Sequence, residues 1–226
     1  MISWFKKISH RNVRLGKELK DFSWELANIV FKYFKNKKQN TDINQITIIN
    51  PYNNEKIDIT ILIIPKYKHP QNPVAFYNFS AKSLVIIPYN LPKQKYANAL
   101  NEFQEYISHE LTHIIDVKYK VKKYDDRQIE INKNYSDFDY FTFAPEFDAY
   151  SQQIAEHIKN KIKENINNKK LIENWLKSSL IPLPSILLQF SKPINIWHES
   201  DLRNKTKYIR ILKDRIFKDV LQTEKD

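Results

Sequence analysis

Apolar positions recur along this chain in two rhythms, and the change from one to the other marks its elements. Over residues 21–35, Trp24, Ile29 or Val30, Phe31 and Phe34 fall at helical steps, with Asp21 or Ser23 placed to cap. From residue 45 the rhythm shortens to two. Residues 45–49 and 56–64 alternate about a turn at 51–55 and predict a hairpin. Residues 74–79 and 83–88 predict a second hairpin about Ser80-Ala81-Lys82. The helical rhythm then returns. Tyr96, Leu100, Phe103, Ile107, Leu111 and Ile114 recur at three- and four-residue steps, which predicts a helix from near Pro92 to Lys120.

Residues 117–133 are strongly charged and read as the helix end and an exposed excursion, with Asp125-Asp126 in a turn. Residues 134–143 carry Tyr135, Phe138, Tyr140, Phe141 and Phe143, a density that suits a segment packed over the core or lining a groove. Pro145 opens another helix, through Ile154, His157 and Ile158 to about Ile166. A break is expected at 167–170, a helix at 171–180, a short apolar run at 186–190 after Pro182 and Pro184, and a loop at 191–199. A last amphipathic helix is expected over 201–221.

The order predicts an α+β fold, a small sheet of about four strands packed on the helix of residues 92–120, with a mainly helical C-terminal part. Three regions follow: a basic arm and helix at 1–40, a core at 41–166, and a helical region at 167–226 packed on it as part of one structural domain. Composition narrows the function. A chain of 226 residues with 42% hydrophobic residues can bury a full core. Its single glycine excludes the glycine-rich nucleotide loops, so turns must lean on Asn, Asp, Pro and Lys. The absence of cysteine excludes disulfides, thiolate metal sites and cysteine nucleophiles. No signal-peptide pattern and no membrane span is read, and a cytoplasmic location is expected, the host-cell cytoplasm included if a phage encodes the chain. The net charge of +11 admits a nucleic-acid partner, but the excess is mostly lysine without a stripe of Arg and stacking aromatics.

Chemistry concentrates at Ser108-His109-Glu110-Leu111-Thr112-His113, which contains H-E-x-x-H. Residues four apart on a helix lie one above the other, so His109 and His113 can address one ion from a single rigid turn. Glu110 then projects beside the ion as a general base. Two histidines do not complete a catalytic zinc site, which needs three protein ligands. The extension H-x-x-G-x-x-H is absent, since residue 119 is Tyr and the next histidine is His157. A carboxylate from a later helix is therefore expected, and Glu146-Phe147-Asp148-Ala149-Tyr150 offers two. Glu146 and Asp148 lie about 200° apart around a helix, so only one of them can ligate.

These two motifs resemble the zincin metallopeptidases whose third ligand is glutamate, including compact bacterial and phage enzymes with an E-x-x-A pattern; the resemblance spans about residues 75–160. It implies Zn2+ held by His109, His113 and Glu146, with Asp148 as the rival ligand, and Glu110 as the base that hydrolyses peptide bonds. It also implies that the hairpin before the motif helix is a platform for an extended peptide or protein substrate. The chain departs from the pattern at Tyr150, where such families often carry Asp or Asn to hold a ligand histidine; Asp116 is the substitute, with Tyr119 on the same face. A donor for the oxyanion is expected among His198, Tyr135, Tyr140 and His157, with His198 preferred. His69, in a loop, is a remote possible ligand. The alternative is a catalytically silent protein of the same fold, a binding or regulatory module contacting nucleic acid through its basic surface.

Overall fold

The computed structural model describes residues 15–67, 71, 73–120, 136–142, 144–178, 183–204 and 208–222. The expectations for His69, Tyr135, Phe143, the turn at 125–126 and most of the basic arm lie outside the described residues. The fold is α+β: among the described residues there are one four-stranded mixed sheet and seven α-helices.

Helix α1 spans Lys17–Lys35. It starts earlier than its sequence suggests, behind Gly16, and buries Leu19, Leu26, Ala27, Val30 and Tyr33. Neither Asp21 nor Ser23 caps it; the Ser23 hydroxyl instead donates to the Lys20 carbonyl within the helix. Strands β1 (Asp42–Ile49) and β2 (Lys56–Ile63) form the expected antiparallel hairpin, in register from Asp42↔Ile63 to Ile49↔Lys56. Strands β3 (Ala75–Asn78) and β4 (Ser83–Ile86) form the second. β4 then inserts parallel to β2, so the sheet order is β1-β2-β4-β3 and β3, not β4, is the edge nearest the motif helix. With one glycine in the chain, left-handed turn positions fall to Lys37 (φ 49°), Asn54 (φ 57°) and Lys82 (φ 47°).

Pro92 leads into a 3-10 turn, Lys93–Asn98, before helix α2, Ala99–Lys120. Phe103, Ile107, Leu111, Ile114 and Ile115 on α2 are buried against α1 and the sheet. Asn50, buried in the β1–β2 turn, ties that turn to α2 by donating to the Ile115 carbonyl.

The C-terminal part is helical: α3 (Asp137–Thr142), α4 (Ala144–Glu164), α5 (Asn167–Lys177), α6 (Ser191–Asn204) and α7 (Tyr208–Ile216), with a 3-10 segment Ser185–Phe190 and a π-helical end Phe217–Leu221. Two expectations fail here. Residues 191–199 are helix, not loop, because Pro193 stands in the first turn, where a missing N–H costs nothing. Residues 167–170 open α5 rather than break the chain; the break lies just before, where the Asn165 side chain accepts the Asn167 N–H.

Apolar side chains gather into two clusters. The first, from Leu15 to Ile115, joins α1, the sheet and one face of α2. The second, from Phe141 to Val220, joins α3 to α7, with Phe147, Trp197 and Leu212 among its fully buried members. α1 shares the first cluster and α4 the second.

Between the clusters, α2 and α4 meet across a buried polar seam. Gln104 donates toward Ser23, Ser108 and Glu156, and Asn160 toward Gln104 and Glu105. Glu105 faces His157 Nδ1 at 3.0 Å, while His157 Nε2 meets the Ile186 carbonyl at 2.9 Å. Buried groups of this kind are costly unless partnered, and here the partners are supplied across the joint.

Candidate metal centre

The candidate site lies where the first cluster hands over to the second. α2 is wedged by its apolar face, so its opposite turn presents His109 and His113 toward α4. α4 is buried over most of its length. Phe147, Ile154 and Ile158 enter the second cluster, which turns Glu146, Tyr150, Gln153 and His157 back toward α2 at helical spacing. The Trp197 indole N–H and the Tyr208 hydroxyl donate to the carbonyls of Phe141 and Thr142, which pins α3 and holds Tyr140 over the site.

Three donor groups converge. His109 Nε2 and His113 Nε2 are 3.2 Å apart. Glu146 Oε2 is 3.7 Å from His109 Nε2, and its Oε1 is 3.5 Å from His113 Nε2. Among the described residues this is the group of His, Asp and Glu side chains arranged to hold an ion. The separations can be tested against a metal. With zinc–nitrogen bonds of about 2.0–2.1 Å in tetrahedral geometry, donor atoms lie about 3.3 Å from one another. The observed 3.2, 3.5 and 3.7 Å fit that spacing with small adjustments. Glu146 Oε2 is also buried without a hydrogen-bond partner among the described residues, an arrangement that an ion would relieve.

Electrostatics prepare the donors. Burial holds the His113 imidazole down at about 4, against a smaller upward pull from Glu146, so it is neutral at pH 7. Burial raises the Glu146 carboxyl, but His113, His109 and a hydrogen bond from Tyr140 outweigh it and leave it below its ordinary value. Burial lowers the His109 imidazole; hydrogen bonding to Glu146, the charges of Glu110 and Glu146, and Gln153 raise it above the ordinary value. Glu110 differs from Glu146. Desolvation, with Glu146 adding, pushes its carboxyl up to about 7, although His109 and the Tyr77 N–H pull the other way. That N–H, from edge strand β3, donates to Glu110 Oε2 at 2.9 Å and fixes the side chain beside the histidines.

Not every expected residue joins this group. Asp148 turns the other way, into the second cluster. Its Oδ1 is 3.0 Å from Arg215 Nη2 and its carbonyl accepts from Arg215 Nη1, both side chains being essentially without exposure. It is therefore spent on a buried ion pair and is not the third donor. His198 lies on α6 and lines a cavity of about 1120 Å³ with Leu202, Arg210, Lys213 and Phe217, a lining that includes none of His109, His113 or Glu146. Residues 191–204 are a helix whose Trp197 enters the second cluster. His157 is held between Glu105 and the Ile186 carbonyl, away from the donors. Asp116 is buried near the end of α2. Tyr140 does arrive: it stands beside the Glu146 carboxylate, and burial with Glu146 and Tyr150 near it raises its pKa, so it stays protonated.

Sequence reasoning missed three participants. The Tyr150 ring packs edge-on against His109, centroids 4.6 Å apart, and its hydroxyl is likewise kept protonated by burial. Gln153 assists His109. Both lie at i+4 and i+7 from Glu146, so the helical spacing contained the signal. The third is a backbone group, the Tyr77 N–H, for which no side-chain pattern exists. Phe79 completes an aromatic wall beside His113. No family model, curated protein or solved structure matches the chain.

Proposed function

We propose that this protein is a zinc-dependent peptide hydrolase. The observation that carries the reading is the convergence of two imidazole nitrogens from one helical turn and a carboxylate from α4, with Glu110 held beside them. His109, His113 and Glu146 would hold a zinc ion, which would supply Lewis acidity toward a carbonyl and lower the pKa of water. The other roles belong to the chain. Glu110, poised near neutrality, accepts a proton and returns it to the leaving nitrogen. Tyr140 and Tyr150 remain O–H donors at any physiological pH and suit the stabilisation of a developing negative oxygen.

Strand β3 supplies the binding edge. The Val74 carbonyl accepts the Ile87 N–H, so Val74 and Phe76 turn their peptide groups toward β4, and Ala75 and Tyr77 turn theirs outward beside Glu110. An extended peptide pairing there, with Ala75 and the Tyr77 carbonyl while the Tyr77 N–H stays on Glu110, passes alongside the donor group. The aromatic walls of Tyr77, Phe79 and Tyr150 favour apolar side chains next to the cut bond.

Elemental analysis of the purified protein tests the reading, with His109→Ala, Glu146→Ala and Glu110→Gln beside wild type. Near-stoichiometric zinc is expected in wild type and Glu110→Gln and not in the other two, and proteolysis of an unfolded protein substrate only in wild type. Wild type that takes up no zinc ends the proposal. Zinc uptake with a function that survives Glu110→Gln replaces catalysis with binding.

A further inference from the structure

The outer edge of β1 is the longest stretch of open backbone in the described structure. β1 pairs with β2 over its whole length without a bulge. Its phase is fixed at both flanks. The Asn50 N–H donates to the Glu55 carbonyl, so Asn50, Ile48, Ile46 and Asn44 face β2. On the far side, the N–H groups of Thr60 and Ile64 reach β4, which leaves the intervening residues of β2 for β1. Ile43, Gln45, Thr47 and Ile49 therefore turn N–H and C=O outward, and no hydrogen bond meets these groups among the described residues. The same four side chains form one exposed row, with Ile43 66% and Ile49 49% exposed.

Edges of this length are ordinarily blunted by lysine, proline or a bulge. β1 contains none of these, and its one charge, Asp42, stands at its first residue. The opposite edge, β3, is four residues long and has its Tyr77 N–H committed to Glu110. The two edges are treated differently, and β1 carries the features of a pairing surface.

We propose that β1 pairs with β1 of a second copy of this chain, antiparallel about a two-fold axis through Ile46, so that two four-stranded sheets become one continuous sheet. The register follows from the residues. Outward groups must meet outward groups, and only the register that sets Ile43 against Ile49′ and Gln45 against Thr47′ uses all four on both copies. It closes about eight backbone hydrogen bonds, two for each of four pairs. The same register brings each exposed isoleucine onto the other and opposes no like charges along the strand, which is the self-complementarity an isologous contact requires. Each copy carries +11, so added salt strengthens the association by screening the repulsion between the bodies.

The absence of cysteine makes a direct test available. In Ile46→Cys the two-fold register sets residue 46 opposite itself at a non-hydrogen-bonded pair, Cα atoms about 4.5 Å apart and within reach of a disulfide. Mild oxidation is expected to give a covalent dimer. Ile43→Cys is expected to give none, since residue 43 lies about 20 Å from its own copy, six residues along the strand. Sedimentation equilibrium supplies a second test. Wild type is expected at twice the chain mass, Ile43→Lys with Ile49→Lys at the chain mass, and Ile43→Glu with Ile49→Lys again at twice, because each Glu then meets a Lys of the other copy. Wild type that stays at the chain mass at all concentrations and salt levels overturns the proposal. So does equal cross-linking of both cysteine variants, or a dimer that persists in the double lysine variant.

Discussion

Replacing Glu110 by Gln should stabilise the metal-free protein at neutral pH, by an amount set by the burial of the carboxylate. Its pKa stands at about 7 in the fold, against 4.5 for an ordinary Glu. The folded state therefore holds a proton that the unfolded chain has released between those values. Stability is fully present below pH 4.5, falls as pH rises, and reaches its floor once pH passes about 7. At 1.36 kcal/mol for each pH unit the shift corresponds to roughly 3.4 kcal/mol, and the partial exposure of the side chain reduces this to on the order of 2–3 kcal/mol. Gln is neutral throughout and retains an oxygen for the Tyr77 N–H, so the substitution removes the charge and little else. The assay is thermal unfolding of chelator-treated wild type and Glu110→Gln at pH 4.5 and pH 8. At the acid end the two should melt together. At pH 8 the variant should melt about 4–12 °C higher, given about 2–4 °C for each kcal/mol in a chain of this length. His113 and Glu146 titrate in both proteins, so the difference between the curves reports Glu110 together with its charge coupling to His109. A melting difference that is the same at both pH values would refute the reasoning, because then the carboxylate is not being forced to ionise in a desolvated place.

Arg215→Met leaves Asp148 buried without its cation and should cost about 3–5 kcal/mol in denaturant unfolding; Asp148→Asn should keep full zinc content, which separates the structural carboxylate from Glu146. His157→Ala exposes Glu105 and the Ile186 carbonyl to the same loss, about 3–5 kcal/mol by the same measurement, with metal uptake still present. Tyr140→Phe removes the hydrogen bond that lowers the Glu146 carboxyl, so in a pH titration of bound zinc the ion should be released at a higher pH than from wild type. Ile107→Ala, at a fully buried position behind the motif turn, should cost about 2–5 kcal/mol in denaturant unfolding.

The parts that the sequence disclosed are those whose information is local. Both hairpins and α2 followed from side-chain period, and the histidine pair from a spacing of four. Where local cues compete, the reading drifted. Residues 191–199 read as a loop, yet they open α6, with Pro193 in its first turn. Ser23 looked like a cap, yet α1 had already begun. The choice between Glu146 and Asp148 had no local solution at all. It is decided by Arg215, 67 residues further on, which claims Asp148 from the opposite side of α4. The order of the sheet was hidden for the same reason, since the parallel placement of β4 beside β2 is a tertiary choice that leaves no mark on either strand.

The donors of the candidate centre are divided between the two apolar clusters: the imidazoles rise from the first and the carboxylate from the second. An ion gripped by all three would act as a latch between cooperative units that otherwise adhere through a polar joint. Its binding free energy would then appear as resistance to partial opening, with amide protons of α4 to α7 exchanging more slowly in the loaded protein while those of β1 and β2 scarcely change.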